Sequence, residues 1–516
     1  MTQNSFMPRV SVLFLQPQGA YDEDEFSHDP LYFTDMAIDR ILDSVLKNTE
    51  SYNLRPLFRQ LPKRLDVIKY RNDILKDCSS APLKKAVQEF CQGMVVMRNH
   101  LDLALKSFNK YQAAFFNLQA MSVYCHAVAG LNDELSVTSP ASEGLNNFAT
   151  SLKNYAQSDG FVELSKTTQT HQVALSGILY TVFLDESSIT VRPFNNEPDY
   201  NDVITKFFAR FQSDKKIEVE QHLDGGVWIG NIQSRILDGV AQINPEIFAA
   251  LCSFTSQGQS FIDPALVDFE REVQFYLVWL RFTEKFTKMG LVFSVAQLVG
   301  DKKLKATNAF DLALADKLYE KGEKIVCNEF YLEGKERIFV VTGPNQGGKT
   351  TFARMFGQMH YFANLGLSVP GERVCLQFFD AIFTHFEREE ALTALHGKLY
   401  DDLVRIHEII DSANSDSLII LNEIFNSTAL KDAQFLAEKI LQKIIEIDAF
   451  GVCVTFMDEL AKIGPQTVSL TSMVEPENPE KRSFHVVRRH ADGLAYALSI
   501  ARKYGVTYEQ LKERLA

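Results

Sequence analysis

Gly343-Pro344-Asn345-Gln346-Gly347-Gly348-Lys349-Thr350 follows a short apolar run, Ile338 to Thr342. It precedes Phe352, Met355, Phe356, Met359 and Phe362, which recur at helical spacing. The octet has the spelling G-x-x-x-x-G-K-[ST] in a strand–loop–helix context. Glycines there let backbone N–H groups turn inward around phosphate oxygens, and the start of a helix adds positive potential. Gly343, Pro344, Asn345, Gln346, Gly347, Gly348, Lys349, Thr350 and the following Thr351 are therefore the expected nucleotide-binding residues. Lys349 would reach the β- and γ-phosphates, and the Thr350 hydroxyl would join a magnesium shell.

Outward from this loop the chain alternates strands and helices from about residue 321 to 516. Ser417 to Leu421 and Val452 to Thr455 read as further buried strands, Phe484 to Val487 as a fourth, and Lys431 to Ile447 as a helix between strands. Such alternation argues for a largely parallel sheet. The second strand ends in Asn422-Glu423. A carboxylate at the carboxyl end of a strand, beside a phosphate loop, is placed to orient or deprotonate the attacking water, so Glu423 is the expected catalytic group alongside Lys349. Asn422 offers only a neutral oxygen to the metal, which predicts weak magnesium affinity and slow turnover. Thr507 to Gln510 reads as a capping-box start for a last helix.

Residues 31–320 read as mostly helical. From 99 to 125, Leu101, Leu105, Phe108, Tyr111 and Phe115 fall on one helical face, as expected of helices packed on helices. Around 176–195 the pattern breaks into a β-hairpin. Phe269 to Lys288, with Trp279, is apolar nearly all round and reads as a buried spine. Residues 1–30 read as a brief strand, Val10 to Leu15, followed by an acidic linker, Tyr21 to Glu25.

Composition narrows the function classes. The 516 residues suffice for two to four domains at roughly 150 residues each, and 39 Phe and 17 Tyr argue against disorder. Net charge is −13, and neither 1–320 (31 basic, 39 acidic) nor 321–516 (22 basic, 27 acidic) is basic, which opposes unaided wrapping of a polyanion. Residues 51–100 differ, with 10 basic and 4 acidic side chains. There Arg55, Arg59, Lys63 and Arg64, with Lys69, Arg71, Lys84 and Lys85, are the candidate nucleic-acid contacts. The alternative is a solvated face, or pairing with the acidic stretch before it. Lys481, Arg482, Arg488 and Arg489 form a second cluster, for nucleotide or subunit contacts. The 7 Cys lack any C-x-x-C spacing, so a reduced, cytoplasmic protein without disulfide framework or zinc site is expected. No membrane segment is expected. His385, Glu387, Glu389 and Glu390 lack the spacing of a metal site and read as a polar loop facing the nucleotide.

The motifs resemble those of the MutS-type ATPases, within the ABC class of P-loop proteins. The family's T-G-P-N-M-G-G-K-S-T is matched by Thr342 to Thr351, and its D-R-I-F-T-R resembles Asp380-Ala381-Ile382-Phe383-Thr384-His385. Its D-E-x-G-R-G-T-S-T-x-D is similar to Asn422 through Asp432, and its A-T-H-x-x-E-L to Val454 through Leu460. The glycine-tyrosine helix entry resembles Ala491 to Ala497. The resemblance is specific over 325–515 and looser before it, where Tyr52-Asn53-Leu54 and Tyr70-Arg71 are similar to the core domain. It implies an α/β P-loop (ABC/MutS-type) ATPase domain plus a mostly α-helical lever or core domain with a small β insertion. It further implies ATP and Mg2+ as cofactors, a homodimer through the ATPase domain, and double-stranded or branched DNA as partner, in DNA mismatch repair or a related process. By the match Glu423 is the catalytic carboxylate, and Thr428 and Asp432 face the partner subunit.

The chain also departs from the family. Phe456 stands at the switch histidine. His396 to Asp402 replaces the signature segment G-x-S-T-F, removing a serine that binds the partner's nucleotide. Lys398 is the candidate substitute, against a plain solvated lysine. By the resemblance the chain starts near the core, without the module whose Phe-x-Glu wedge reads mismatches; Phe161-Val162-Glu163 repeats that spelling by coincidence. A nucleotide-gated scaffold with little turnover, acting on branched DNA, RNA or a protein complex, is the competing expectation. A bare metabolic ATPase or kinase is the weaker third.

Overall fold

The computed structural model describes residues 7–15, 29–185, 188–197, 231–257, 261–300, 302–387, 397–475, 478–490, 507–508 and 511–512. Packing divides the chain into two units. One comprises Met1–Val10, Ser80–Pro140 and Leu145–Glu270, the other Ser11–Ser79, Ala141–Gly144 and Arg271–Ala516. The expected Tyr21–Glu25 linker, Ala491–Ala497 helix entry and Glu389 and Glu390 lie outside the described residues.

The first unit is built on two long helices, Ala81–Lys106 and Lys110–Thr138. Between them Asn109 takes an extended conformation, and its side-chain oxygen accepts from the Tyr111 and Gln112 amides at 2.9 and 3.3 Å. That cap satisfies amides left free at a helix start, three residues after the previous helix ends at Lys106. The continuous stripe expected across 99–125 is therefore broken. Leu105 and Phe108, at the break, are 86% and 93% exposed. The core lies elsewhere, where Phe148 stacks on Phe269 with ring centroids 3.6 Å apart. Phe161 is buried against Tyr124 and Tyr155, a core position rather than a wedge. Within 176–195 the strands β1 (Tyr180–Asp185) and β2 (Ser188–Pro193) pair antiparallel, with Val182 opposite Val191. Val191 sits against Gly239 of the helix Asn231–Ile243, where an added Cβ would meet it at 2.8 Å.

The second unit holds two main sheets. Short strands β3 (Phe293–Val295), β4 (Gln297–Val299), β5 (Leu304–Ala309) and β6 (Asn328–Leu332) precede β7 (Ile338–Thr342). After them come β8 (Ser368–Pro370), β9 (Glu372–Gln377), β10 (Ala381–Phe386), β11 (Ser417–Asn422), β12 (Phe450–Val454), β13 (Thr467–Glu475) and β14 (Asn478–Arg488). The larger sheet runs β10-β11-β12-β7-β13-β14. Its first five strands are parallel; β14 turns back antiparallel on β13 rather than joining as another parallel strand. Strands β7, β11 and β12 are buried along their whole length, as expected when helices cover both faces of a parallel sheet.

The smaller sheet runs β4-β9-β5-β6. Lys305 of β5 pairs with Cys375 of β9, so the α/β unit already includes residues before the change of pattern at 321. The boundary expected there falls inside the second unit, because strand pairing over some seventy residues leaves no local trace in the sequence.

Residues Ser11–Ser79 belong to this unit too. Val10 to Leu15 is not a strand: its carbonyls accept from side chains, Ser11 from Tyr70 (2.6 Å), Val12 from Tyr276 (2.6 Å) and Leu13 from Arg71 (3.0 Å). Thr384 of β10 donates to Asp35 at 2.6 Å, and Gln358 donates to the Met36 carbonyl at 2.8 Å. The expected spine is helix Pro264–Thr287. Its buried Trp279 donates to the Ser368 carbonyl at 3.1 Å. Among the described residues no helix is long and apolar enough to cross a membrane.

Candidate nucleotide site

The octet leaves the carboxyl end of β7, flanked in the sheet by β12 and β13, and runs into helix Lys349–Asn364. Gly343 has φ +116°, and a Cβ there would lie 2.5 Å from Ser472 Oγ and 2.9 Å from the Ser472 carbonyl oxygen. Gly348, at the helix N-cap, has φ +96°. Both positions demand glycine, one for space and backbone angle, the other for backbone angle. Pro344 and Gly347 are buried, Asn345 and Gln346 exposed, and Thr351 half-buried.

Lys349 is buried, and its ammonium donates to the Gly343 carbonyl at 3.0 Å and to the Pro344 carbonyl and Asn345 Oδ1 at 3.5 Å. Among the described residues the nearest carboxylate, Glu423, is 3.9 Å away. Burial holds the Lys349 pKa below the ordinary lysine range, opposed by Glu423 and reinforced by Arg482. An ammonium solvated mainly by neutral oxygens is under-compensated, which is what a site for an anion needs. Arg482 approaches from β14, donating to the Asn345 carbonyl at 3.2 Å.

Asn422 and Glu423 follow at the end of the parallel strand β11. The Thr350 hydroxyl donates to Asn422 Oδ1 at 3.0 Å, so the two expected metal ligands are adjacent. Glu423 takes φ +55°, uncommon for a residue with a side chain, and its amide donates to the Val454 carbonyl at 2.8 Å. Burial raises the Glu423 pKa, Lys349 lowers it, and Glu387 raises it; the result is above the ordinary value. Phe456, just past β12, lays its ring face 4.0 Å from the Lys349 ammonium.

Other expected residues make contacts or take burials of their own. Lys398 donates to Glu387 at 2.5 Å, His385 Nε2 approaches Asp402 Oδ1 to 3.1 Å, Thr428 is half-buried and Asp432 exposed. Among the described residues no group of three His, Cys, Asp or Glu is arranged to hold a metal.

The basic window is partly turned inward. Asp29 accepts Arg55 and Arg59, each at 2.6 Å, and Arg55 also reaches Asp43 at 2.7 Å. Burial would raise the Asp29 pKa, but hydrogen bonds and charge from both arginines leave it lowered. Arg71 is 2% exposed and holds the Leu13 and Leu365 carbonyls. These three are corrections: their charge is committed within the unit. Arg64, itself exposed, pairs with its exposed neighbour Asp66, and Lys63 and Lys69 are exposed. Of the second cluster, Arg488 pairs with Glu336.

Sequence reasoning missed Ser472, the Arg482 contact and the Phe456 contact. Ser472 Oγ is fully buried, and no hydrogen bond from the described residues reaches it. It abuts both Gly343 and Gly347. These contacts join β7 to β13 and β14, whose pairing no local pattern announces.

A strand–loop–helix segment at the carboxyl edge of a parallel sheet, with a lysine inside and a carboxylate on the second strand over, belongs to an α/β unit of a chain that also has a mostly helical part. Residues 339–513 match the family model MutS domain V, and residues 63–289 match that of the MutS2 N-terminal domain. The chain belongs to the MutS family, and much of its helical part is matched by the MutS2 model. It is similar to the DNA mismatch repair protein MutS of Thermotoga maritima, 28% identical over 190 residues, 36% of this chain and 24% of that protein. Endonuclease MutS2 of Thermus thermophilus is 29% identical over 192 residues, 36% of this chain and 25% of that protein. The chain thus covers about a quarter of the length of the relatives it matches.

Proposed function

We propose that the chain binds ATP with magnesium in the Gly343–Thr351 cradle, hydrolyses it slowly, and converts nucleotide state into movement of its helical part on DNA. The setting is mismatch repair or a related DNA-processing role, in the cytoplasm, as a dimer through the α/β unit. The observation that carries the reading is the buried Lys349 ammonium, which donates to carbonyl oxygens of the loop, with no carboxylate of the described residues closer than 3.9 Å. A triphosphate supplies the missing negative charge.

The residues present fit such a ligand. The loop's glycines have the backbone angles and space a phosphate cradle needs, and the orphaned Ser472 hydroxyl lies directly behind them. Thr350 and Asn422 would hold magnesium, which when bound offsets charge on the β- and γ-phosphates. Their donor set, one hydroxyl and one neutral amide oxygen, makes that hold weak. Lys349 stabilises charge as it develops on the terminal phosphate, and Glu423 positions the attacking water. Raised by burial, the Glu423 carboxyl is a better proton acceptor than an exposed glutamate. Thr428, Asp432 and Lys398 are proposed at the subunit face, and Lys63 and Arg64 as phosphate contacts.

Asn422 favours a second reading, a nucleotide-gated scaffold with little turnover. ATP turnover in the wild type and in Glu423→Gln, across duplex, mismatched, branched and single-stranded nucleic acids, separates the two. A rate raised by one nucleic acid and lost in the variant supports the enzyme. No turnover above background in either protein supports the scaffold.

A further inference from the structure

We infer that Phe456 is a gate on Lys349 that sets the preference of the site between nucleoside diphosphate and triphosphate. The inference rests on the ATP reading above and deepens it. Phe456 is 47% exposed, an unusual condition for an aromatic side chain at the end of a fully buried strand. Its ring face is 4.0 Å from the Lys349 ammonium, well inside the range of a cation–π contact. Carbonyls of Gly343 and Pro344 hold the ammonium from the loop side. Glu423, the group proposed to position water against the terminal phosphate, lies 3.9 Å from the same ammonium. Phe456 and Glu423 each follow the carboxyl end of a neighbouring strand, β12 and β11, which places the ring at the end of the site where a third phosphate is handled.

The electrostatics are one-sided. The face of an aromatic ring carries partial negative charge, so it attracts the ammonium and repels phosphate oxygens. A third phosphate must take the ring's place on Lys349, whereas a diphosphate engages the lysine from the loop side and leaves the ring seated. Phe456 therefore penalises triphosphate more than diphosphate. Two features strengthen the contact: Lys349 is buried, and among the described residues no carboxylate comes nearer than 3.9 Å to compete with the ring.

The test is titration of the full chain with Mg-ADP and with the magnesium complex of a non-hydrolysable ATP analogue, for wild type, Phe456→Leu and Phe456→Tyr. Leucine keeps apolar bulk but removes the ring face; tyrosine keeps the face. Phe456→Leu should raise triphosphate affinity relative to diphosphate by roughly two- to thirtyfold, and Phe456→Tyr should retain the wild-type ratio. An equal change in both affinities, no change in either, or a tyrosine variant that behaves like leucine overturns the gate while leaving nucleotide binding intact. A wild type that binds neither nucleotide overturns the ATP reading, and the gate with it.

Discussion

Lys349 and Arg59 are both cations of the second unit shielded from water, yet they are treated oppositely. Arg59 shares Asp29 with Arg55 at 2.6 Å, and the carboxyl pKa is lowered in return. Among the described residues Lys349 meets neutral carbonyls first, a ring face, and a carboxylate at 3.9 Å. The first arrangement is electrostatically closed and holds the fold; the second is open and invites an anion. Positive charge in a sequence window therefore does not mark a binding surface. What marks it is charge that the fold has left incompletely balanced.

The largest effect that sharpens this contrast is catalytic. Glu423→Gln should lower ATP turnover by about 10²–10⁴-fold while leaving nucleotide affinity largely unchanged, as measured by steady-state hydrolysis and equilibrium binding side by side. Because the active form of Glu423 is the carboxylate and its pKa is raised, turnover should fall as pH drops through a value above the ordinary 4.5. Loss only below that value would place the carboxyl in water rather than in the site.

Next in size is the direct exchange of roles. Lys349→Ala should weaken ATP binding by roughly ten- to a hundredfold. Arg59→Ala should leave ATP affinity alone and lower unfolding stability by about 1–3 kcal/mol, read from denaturant melts, since Asp29 loses a charged partner. Equal losses of ATP affinity in the two variants would break the contrast. Lys349 has a pKa held down by burial, so in the nucleotide-free protein its charge should be lost at a pH below the ordinary 10.5.

A smaller effect is expected at the metal. Asn422→Asp should tighten magnesium by about tenfold, because a carboxylate replaces an amide oxygen beside Thr350; unchanged magnesium dependence of ATP binding would remove Asn422 from the metal shell. The smallest concerns nucleic acid. With Arg55, Arg59 and Arg71 committed internally, neutralising Lys63 and Arg64 together should reduce the salt slope of duplex binding by about 1–2. A similar change on neutralising Arg59 would contradict its assignment to Asp29.

The legible parts of the molecule were those with local causes. The cradle could be read because glycine stereochemistry and the lysine position are written in eight consecutive residues. Strands β7, β11 and β12 could be read because burial on both faces demands unbroken apolar runs. Strand β13 carries Thr467, Ser469, Thr471 and Ser472 among its apolar residues, so no unbroken apolar run marks it, and only its pairing with β7 reveals it. The stripe through Leu105 and Phe108 misled because Asn109 caps a new helix, a signal that periodicity alone overrides. By sequence Arg55 and Arg59 are candidate nucleic-acid contacts, with pairing to the acidic stretch Tyr21–Glu25 as the alternative; that stretch lies outside the described residues, and Asp29, just after it, accepts both.

The most direct measurement is equilibrium titration of the purified chain with Mg-ATP, wild type beside Lys349→Ala. Saturable binding to the wild type that weakens at least tenfold in the variant is the predicted result. Equal binding by both proteins, or none by the wild type, would contradict the assignment of the triphosphate to the under-balanced lysine.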